Sequence, residues 1–232
     1  MDTLTAPRHK STLRPETGEI PALHNGDHLT LAEFERRYAA QPYLKKAELI
    51  EGVVYVPSPV SLEHSKRHAN VIIWLGSYYI ATPGLRLLDN ATVILDAENE
   101  VQPDAALCIV RGGQTETVGN FLQGAPELVV EIANSSAAYD LHEKLRVYRR
   151  TGVQEYVIFL TLERETLWYR LQEGRYELVR ADDNGVIKSA VFPGLYLDAA
   201  KFWADDLPGL LETLQRGLVT DEYAAFKAVV TQ

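Results

Sequence analysis

Three ionisable residues stand where the surrounding pattern calls for apolar ones. Asp104 follows Pro103 in VQPDAALCIV (101–110), and strand alternation puts it on one face with Ala106, Cys108 and Val110. Glu131 is embedded in PELVVEIA (126–133). Lys144 falls on the i, i+3, i+4, i+7 stripe formed by Leu141, Lys144, Leu145 and Tyr148. Burying an unpaired charge costs roughly several kcal/mol, so such groups are paired or hold metal. Two carboxylates on neighbouring strands and one ammonium from a covering helix would satisfy one another. The same carboxylates suit Mg²⁺ (or Mn²⁺), which takes oxygen ligands and keeps water and phosphate in its shell. Each residue also has an ordinary reading. Asp104 could start a strand, Glu131 could lie on an exposed sheet face, and Lys144 could snorkel to solvent or pair with Asp140 at i, i+4.

Other candidates carry less. His64 and His68 form H-x-x-x-H on a helical stretch, a zinc-capable spacing, but the zincin pattern needs Glu where Ser65 stands. His64, Lys66 and Arg67 make a short basic cluster that could touch a nucleic-acid backbone, as could Arg146, Arg149 and Arg150; the plainer reading of both is a solvated face. Ser135 and Ser136 read as helix caps, and Trp74 and Tyr78 as core. Cys108, the single cysteine, reads as a small core residue and excludes an internal disulfide.

The elements that would position these groups alternate in type. Thr30 and Glu33 form a capping box that opens a helix at Leu31. AELIEGVVYVPSP (47–59) reads as strands turning at Glu51-Gly52, and 62–80 as a helix stopped by Thr82-Pro83-Gly84. Residues 85–95 and 101–110 read as two strands joined at Asp96–Glu100, followed by a Gly-rich loop over 111–125. The run 126–133 is a strand buried on both faces, then a helix over about 138–150 and a strand over 153–160. Segments 164–172, 175–181 and 186–192 read as an antiparallel meander. The expected class is α/β, a mixed β-sheet core flanked by helices with an antiparallel C-terminal meander. Residues 1–28 read as a flexible N-terminal arm, 29–206 as the domain and 207–232 as a helical extension. The apolar residues of that extension dock either on the core or on a second copy, which would suit a homodimer.

Composition narrows the classes. Of 232 residues, 23 are basic and 32 acidic, a formal charge of −9, which argues against coating nucleic acid or anionic membrane nonspecifically. A local basic patch with a bridging metal stays open. No stretch approaches the ~20 apolar residues of a membrane span, and the N-terminus lacks a signal-peptide core, so no membrane partner and a cytoplasmic location are expected.

The ordered series ELIEG (48–52), Pro57-Ser58-Pro59 with His64, Pro103-Asp104, PELVVEI-x-x-S (126–135), D-x-x-x-K-x-x-x-Y (140–148), GV-x-EY (152–156) and FPGL-x-L (192–197) resembles the Uma-two restriction-endonuclease family (DUF820-like), a branch of the PD-(D/E)xK nuclease superfamily. The likeness runs from Ala47 to about Trp203, roughly two-thirds of the chain. It implies a restriction-endonuclease-like fold and Mg²⁺-dependent hydrolysis of DNA phosphodiester bonds. Asp104 and Glu131 would hold the metal, with Glu48 as outer or third ligand. The superfamily lysine belongs two residues after the second acid, where this chain has Ala133; the resemblance implies that it has migrated to Lys144, the position that periodicity also buries. Two rival readings are a catalytically inactive nuclease-fold binding or accessory protein, and an unrelated interaction domain with a structural ion network.

Overall fold

The computed structural model describes residues 19–57, 59–133 and 140–231. The caps at Ser135 and Ser136, the arm up to residue 18 and the side chains of Asp140 and Leu141 lie outside the described residues.

In chain order the elements are α1 (Leu31–Ala39), β1 (Glu48–Ile50), β2 (Val53–Tyr55), α2 (Leu62–Ala81), β3 (Leu85–Asp89), β4 (Val93–Asp96), β5 (Asn99–Val101), β6 (Ala105–Ile109), β7 (Glu116–Val118), β8 (Phe121–Gln123) and β9 (Leu128–Ala133). A π-helical turn, Asp140–Lys144, runs into α3 (Leu145–Thr151), and β10 (Glu155–Leu160), β11 (Glu165–Gln172), β12 (Arg175–Leu178), β13 (Val186–Lys188), β14 (Tyr196–Asp198), α4 (Ala199–Trp203), α5 (Leu207–Gly217) and α6 (Asp221–Val230) follow. One sheet has the order β2-β1-β5-β4-β8-β7, a second β12-β11-β10-β9-β6-β3, and β13 and β14 form a separate ribbon. The class is mixed α/β, as expected.

The second sheet is the frame of the site. β9 and β10 are parallel and joined through α3, while β6 and β11 pair antiparallel to them. Alternation splits β9 between two cores. Leu128, Val130 and Ile132 face the cluster of α2 and the C-terminal helices, where Trp74 packs edge-on against Trp168 at 6.0 Å. Val129 and Ala133 face the cluster of Val147, Tyr148 and Tyr156, so Glu131 points to the α3 side.

Several expectations need correction. The stretches 85–95 and 101–110 are each broken in two, and the halves enter different sheets. At the first break Asn90 takes φ 51°, a left-handed conformation that ends β3. At the second, Gln102-Pro103-Asp104 carries the chain from one sheet to the other, and Pro103 cannot donate to a ladder. The Gly-rich loop contains the hairpin β7–β8. The third meander segment leaves the sheet, because β13 pairs with β14 instead. The end of the expected arm is not loose: Leu23 is buried with Phe34, Leu49 and Val54, and the Gly26 amide donates to the Val54 carbonyl at 2.8 Å. The C-terminal extension docks on its own core through Leu210, Leu214, Tyr223 and Val230, so it no longer argues for a second copy.

One buried carboxylate in this frame has a pH signature. Glu100 of β5 is 3% exposed and pairs in register with Leu49, whose cluster includes Phe34 of α1. Burial, with a smaller push from Glu35, raises its pKa to about 7. A raised carboxyl binds its proton more tightly folded than unfolded, so its contribution is complete below about pH 4.5 and is lost as pH rises through 7. Glu100→Gln is therefore expected to stabilise the protein by about 1–3 kcal/mol at pH 8.5 and to leave it nearly unchanged at pH 4, as read by urea unfolding.

Candidate active site

The pairing of β6 with β9 sets Ala105 opposite Val130, so the next step of the same register brings Asp104 across from Glu131. Asp104 precedes the strand, and its side chain completes the ladder where the backbone does not: Oδ2 accepts the Ile132 amide at 2.7 Å. Glu131 and Lys144 meet across the α3 face. Lys144 Nζ donates to Glu131 Oε1 at 2.7 Å and lies 3.1 Å from Glu48 Oε2. Tyr148, one turn on, donates its hydroxyl to Glu131 Oε1 at 3.0 Å. Glu48 arrives from β1 of the other sheet, and its Oε1 accepts the Gln102 amide at 2.7 Å. Glu48, Asp104, Glu131 and Lys144 are all buried, none more than 4% exposed.

A second group surrounds Asp104. His64 Nε2 is 3.3 Å from Asp104 Oδ2, and Lys46 Nζ is 3.7 Å from Oδ1. His68 Nε2 lies 2.9 Å from the Asp104 carbonyl oxygen and 3.1 Å from Asp89 Oδ1. The two histidines at i, i+4 on α2 therefore both meet Asp104, His64 at its carboxylate and His68 at its carbonyl oxygen. Lys144 thus joins Glu131 to Glu48, and Asp104 holds the adjoining corner through the residue after Glu131.

Three participants gain contacts here that the sequence does not assign to them. Lys46 had a signal, since alternation back from Ile50 and Glu48 puts it on their face. Tyr148 was on the buried stripe and was read as core only. His68 was read as zinc-like spacing, and its partner on the Asp104 backbone is invisible without the fold. The basic cluster needs a correction. Arg67 cannot reach a nucleic-acid backbone: it is 3% exposed, salt-bridged to Glu63 and Asp205, and lies over the Trp203 ring at 5.0 Å. Lys66 is solvent-exposed but paired with Asp205 at 2.6 Å, and His64 faces Asp104.

The two central carboxylates are pushed in opposite directions. Burial works to raise the Asp104 pKa, but the His64 hydrogen bond, the charges of Lys46 and His64, and the Ile132 amide outweigh it and hold the group down at about 2. Burial raises Glu131 well above the ordinary carboxylate range; Lys144 opposes this and the nearby Asp104 and Glu48 reinforce it. Among the described residues, no three His, Cys, Asp or Glu side chains gather around one point as a finished cation shell. The donor chemistry nevertheless fits a hard divalent ion. Three buried carboxylates meet the ammonium groups of Lys144 and Lys46 and the ring of His64, and Asp104 Oδ1 lies 3.7 Å from Lys46 Nζ.

Residues 31–200 match the Uma2 family, described as "Putative restriction endonuclease". The chain belongs to the Uma2 family. A solved structure described as a "putative nuclease belonging to DUF820", from Anabaena variabilis ATCC 29413, is 17% identical with a TM-score of 0.60 over 76% of this chain and 98% of its own. At that identity the likeness speaks for the fold alone. No curated protein matches significantly.

The Lys144 bridge makes a stability prediction. Lys144→Met leaves Glu131 and Glu48 buried without their shared cation and is expected to cost about 3–5 kcal/mol at pH 8. Adding Glu131→Gln to Lys144→Met removes one stranded charge and should restore much of that loss in the same denaturation experiment.

Proposed function

We propose that this Uma2 protein is a metal-dependent endonuclease that hydrolyses DNA phosphodiester bonds. The observation that supports it most directly is the burial of Asp104, Glu131, Glu48 and Lys144 at one junction of the two sheets, where carboxylates outnumber cations. Asp104 and Glu131 would hold Mg²⁺ or Mn²⁺, with Glu48 as outer or third ligand. When bound, the ion supplies Lewis acidity toward the scissile phosphate and lowers the pKa of a coordinated water.

The remaining work falls to the chain. His64 and the Ile132 amide fix Asp104 Oδ2, leaving Oδ1 as the oxygen able to face a cation. Lys144, at the end of the π-helical turn, orients the attacking water and offsets charge growing on the phosphate. Tyr148 holds Glu131 Oε1 in place from below. With the water positioned opposite the leaving oxygen, attack is in line and needs no covalent enzyme intermediate. The family's description as a putative restriction endonuclease supports DNA as the substrate.

One observation favours an inactive, binding-only role: Lys144 already spans Glu131 and Glu48, so both carboxylates are satisfied without metal. Plasmid cleavage in Mg²⁺ or Mn²⁺ decides between them. The wild type is expected to nick or linearise plasmid, and the near-isosteric Asp104→Asn to lose about 100-fold or more of that activity while remaining folded by circular dichroism at the assay temperature. Duplex binding with no cleavage in either metal would favour the accessory role.

A further inference from the structure

The cations of the site are unequally held. Lys144 is 3% exposed and wedged between two carboxylates, and His64 is engaged with Asp104 Oδ2. Lys46 differs. Its side chain is 24% exposed, and its Nζ stands 3.7 Å from Asp104 Oδ1, beyond hydrogen-bond length. Among the described residues that oxygen is its one ionic partner. A part-exposed pair of that length holds weakly, and a divalent ion competes with it easily for a carboxylate oxygen.

We infer that Lys46 is the phosphate-binding residue of this site, its ammonium parked on Asp104 Oδ1 until a divalent cation takes that oxygen. The inference rests on the nuclease reading and adds to it the group that receives the substrate strand. The backbone on either side of Lys46 is anchored, which keeps the released ammonium near Asp104. Leu44 packs into the Phe34 cluster, the Leu44 amide donates to the Gln41 carbonyl at 2.9 Å, and the Tyr38 hydroxyl donates to the Lys45 carbonyl. The surface of the same loop is open, with Lys45 exposed and Tyr43 94% exposed. Of the basic residues on α2, Lys66 is taken by Asp205 and Arg67 by Glu63 and Asp205. A chain of net charge −9 repels a polyanion overall, so a single cation at the reacting phosphate has a large share of local attraction.

The test uses the full chain with Lys46→Ala, Lys46→Gln and Lys46→Arg. Mn²⁺ binding is followed by electron paramagnetic resonance, and binding of a fluorescent DNA duplex by anisotropy in Ca²⁺. The neutral variants are expected to bind Mn²⁺ as tightly as wild type or up to about tenfold more tightly, because a competitor for Asp104 is gone. Their duplex affinity should fall about fivefold to tenfold, with the salt slope reduced by about one, while Lys46→Arg keeps wild-type affinity. Weaker Mn²⁺ binding with unchanged duplex affinity would make Lys46 a brace for Asp104 and overturn the inference, as would no change in either. A wild type that binds neither ion nor duplex would overturn the nuclease reading itself, and this inference would fall with it.

Discussion

A lysine ammonium with 3% exposure survives in a protein interior only if carboxylates come to it, and here two do, from different sheets. Glu131 is carried by strand β9 of one sheet, and Glu48 by β1 of the other. Lys144 is therefore both a charge partner and a tie between the sheets. Removing Lys144 leaves both carboxylates without their shared cation in a low-dielectric setting. The path of the chain at Gln102 is tied to the triad directly, because the Gln102 amide donates to Glu48 Oε1.

The packing around the triad makes its geometry stiff. Tyr148 lies edge-on against Tyr156 at 4.9 Å, and its hydroxyl is spent on Glu131. On the far side of β9, Val130 and Ile132 sit in the large cluster with Trp74, Trp168 and Phe159. A strand clamped between two apolar layers cannot easily shift its register, so Glu131 and the Ile132 amide that holds Asp104 are fixed together. Asp104 is low in pKa because donors converge on it; Glu131 is high because burial and like charges dominate. Neighbouring carboxylates pushed apart in this way mark a site built for ionic chemistry.

Much of this was legible from residue order, for physical reasons. An acid inside LVVEIA and a lysine inside a helical apolar stripe are violations of periodicity, and burial makes such violations expensive enough to stand out. The parallel β9–β10 unit followed from an apolar run too short for a helix, and the start of α1 from Thr30, which caps the amide three residues on. What could not be read were the long-range choices. Alternation alone does not reveal that one strand pattern will be cut at Asn90 or Asp104 and shared between two sheets. Nor does a basic tripeptide reveal that Arg67 will turn inward onto Asp205 and Trp203 while Lys46, on an unremarked loop, reaches Asp104.

The measurement that bears most directly on the account is a crystal structure of the protein grown with Mn²⁺, with anomalous data collected at the manganese edge. The expected result is a peak within coordination distance of Asp104 Oδ1 and a Glu131 oxygen, with Lys46 displaced from Asp104 and Lys144 still buried beside Glu131. A map with no anomalous peak at that corner at millimolar Mn²⁺, and with Lys144 and Lys46 unmoved, would contradict a metal-dependent site and leave the charges as a purely structural network.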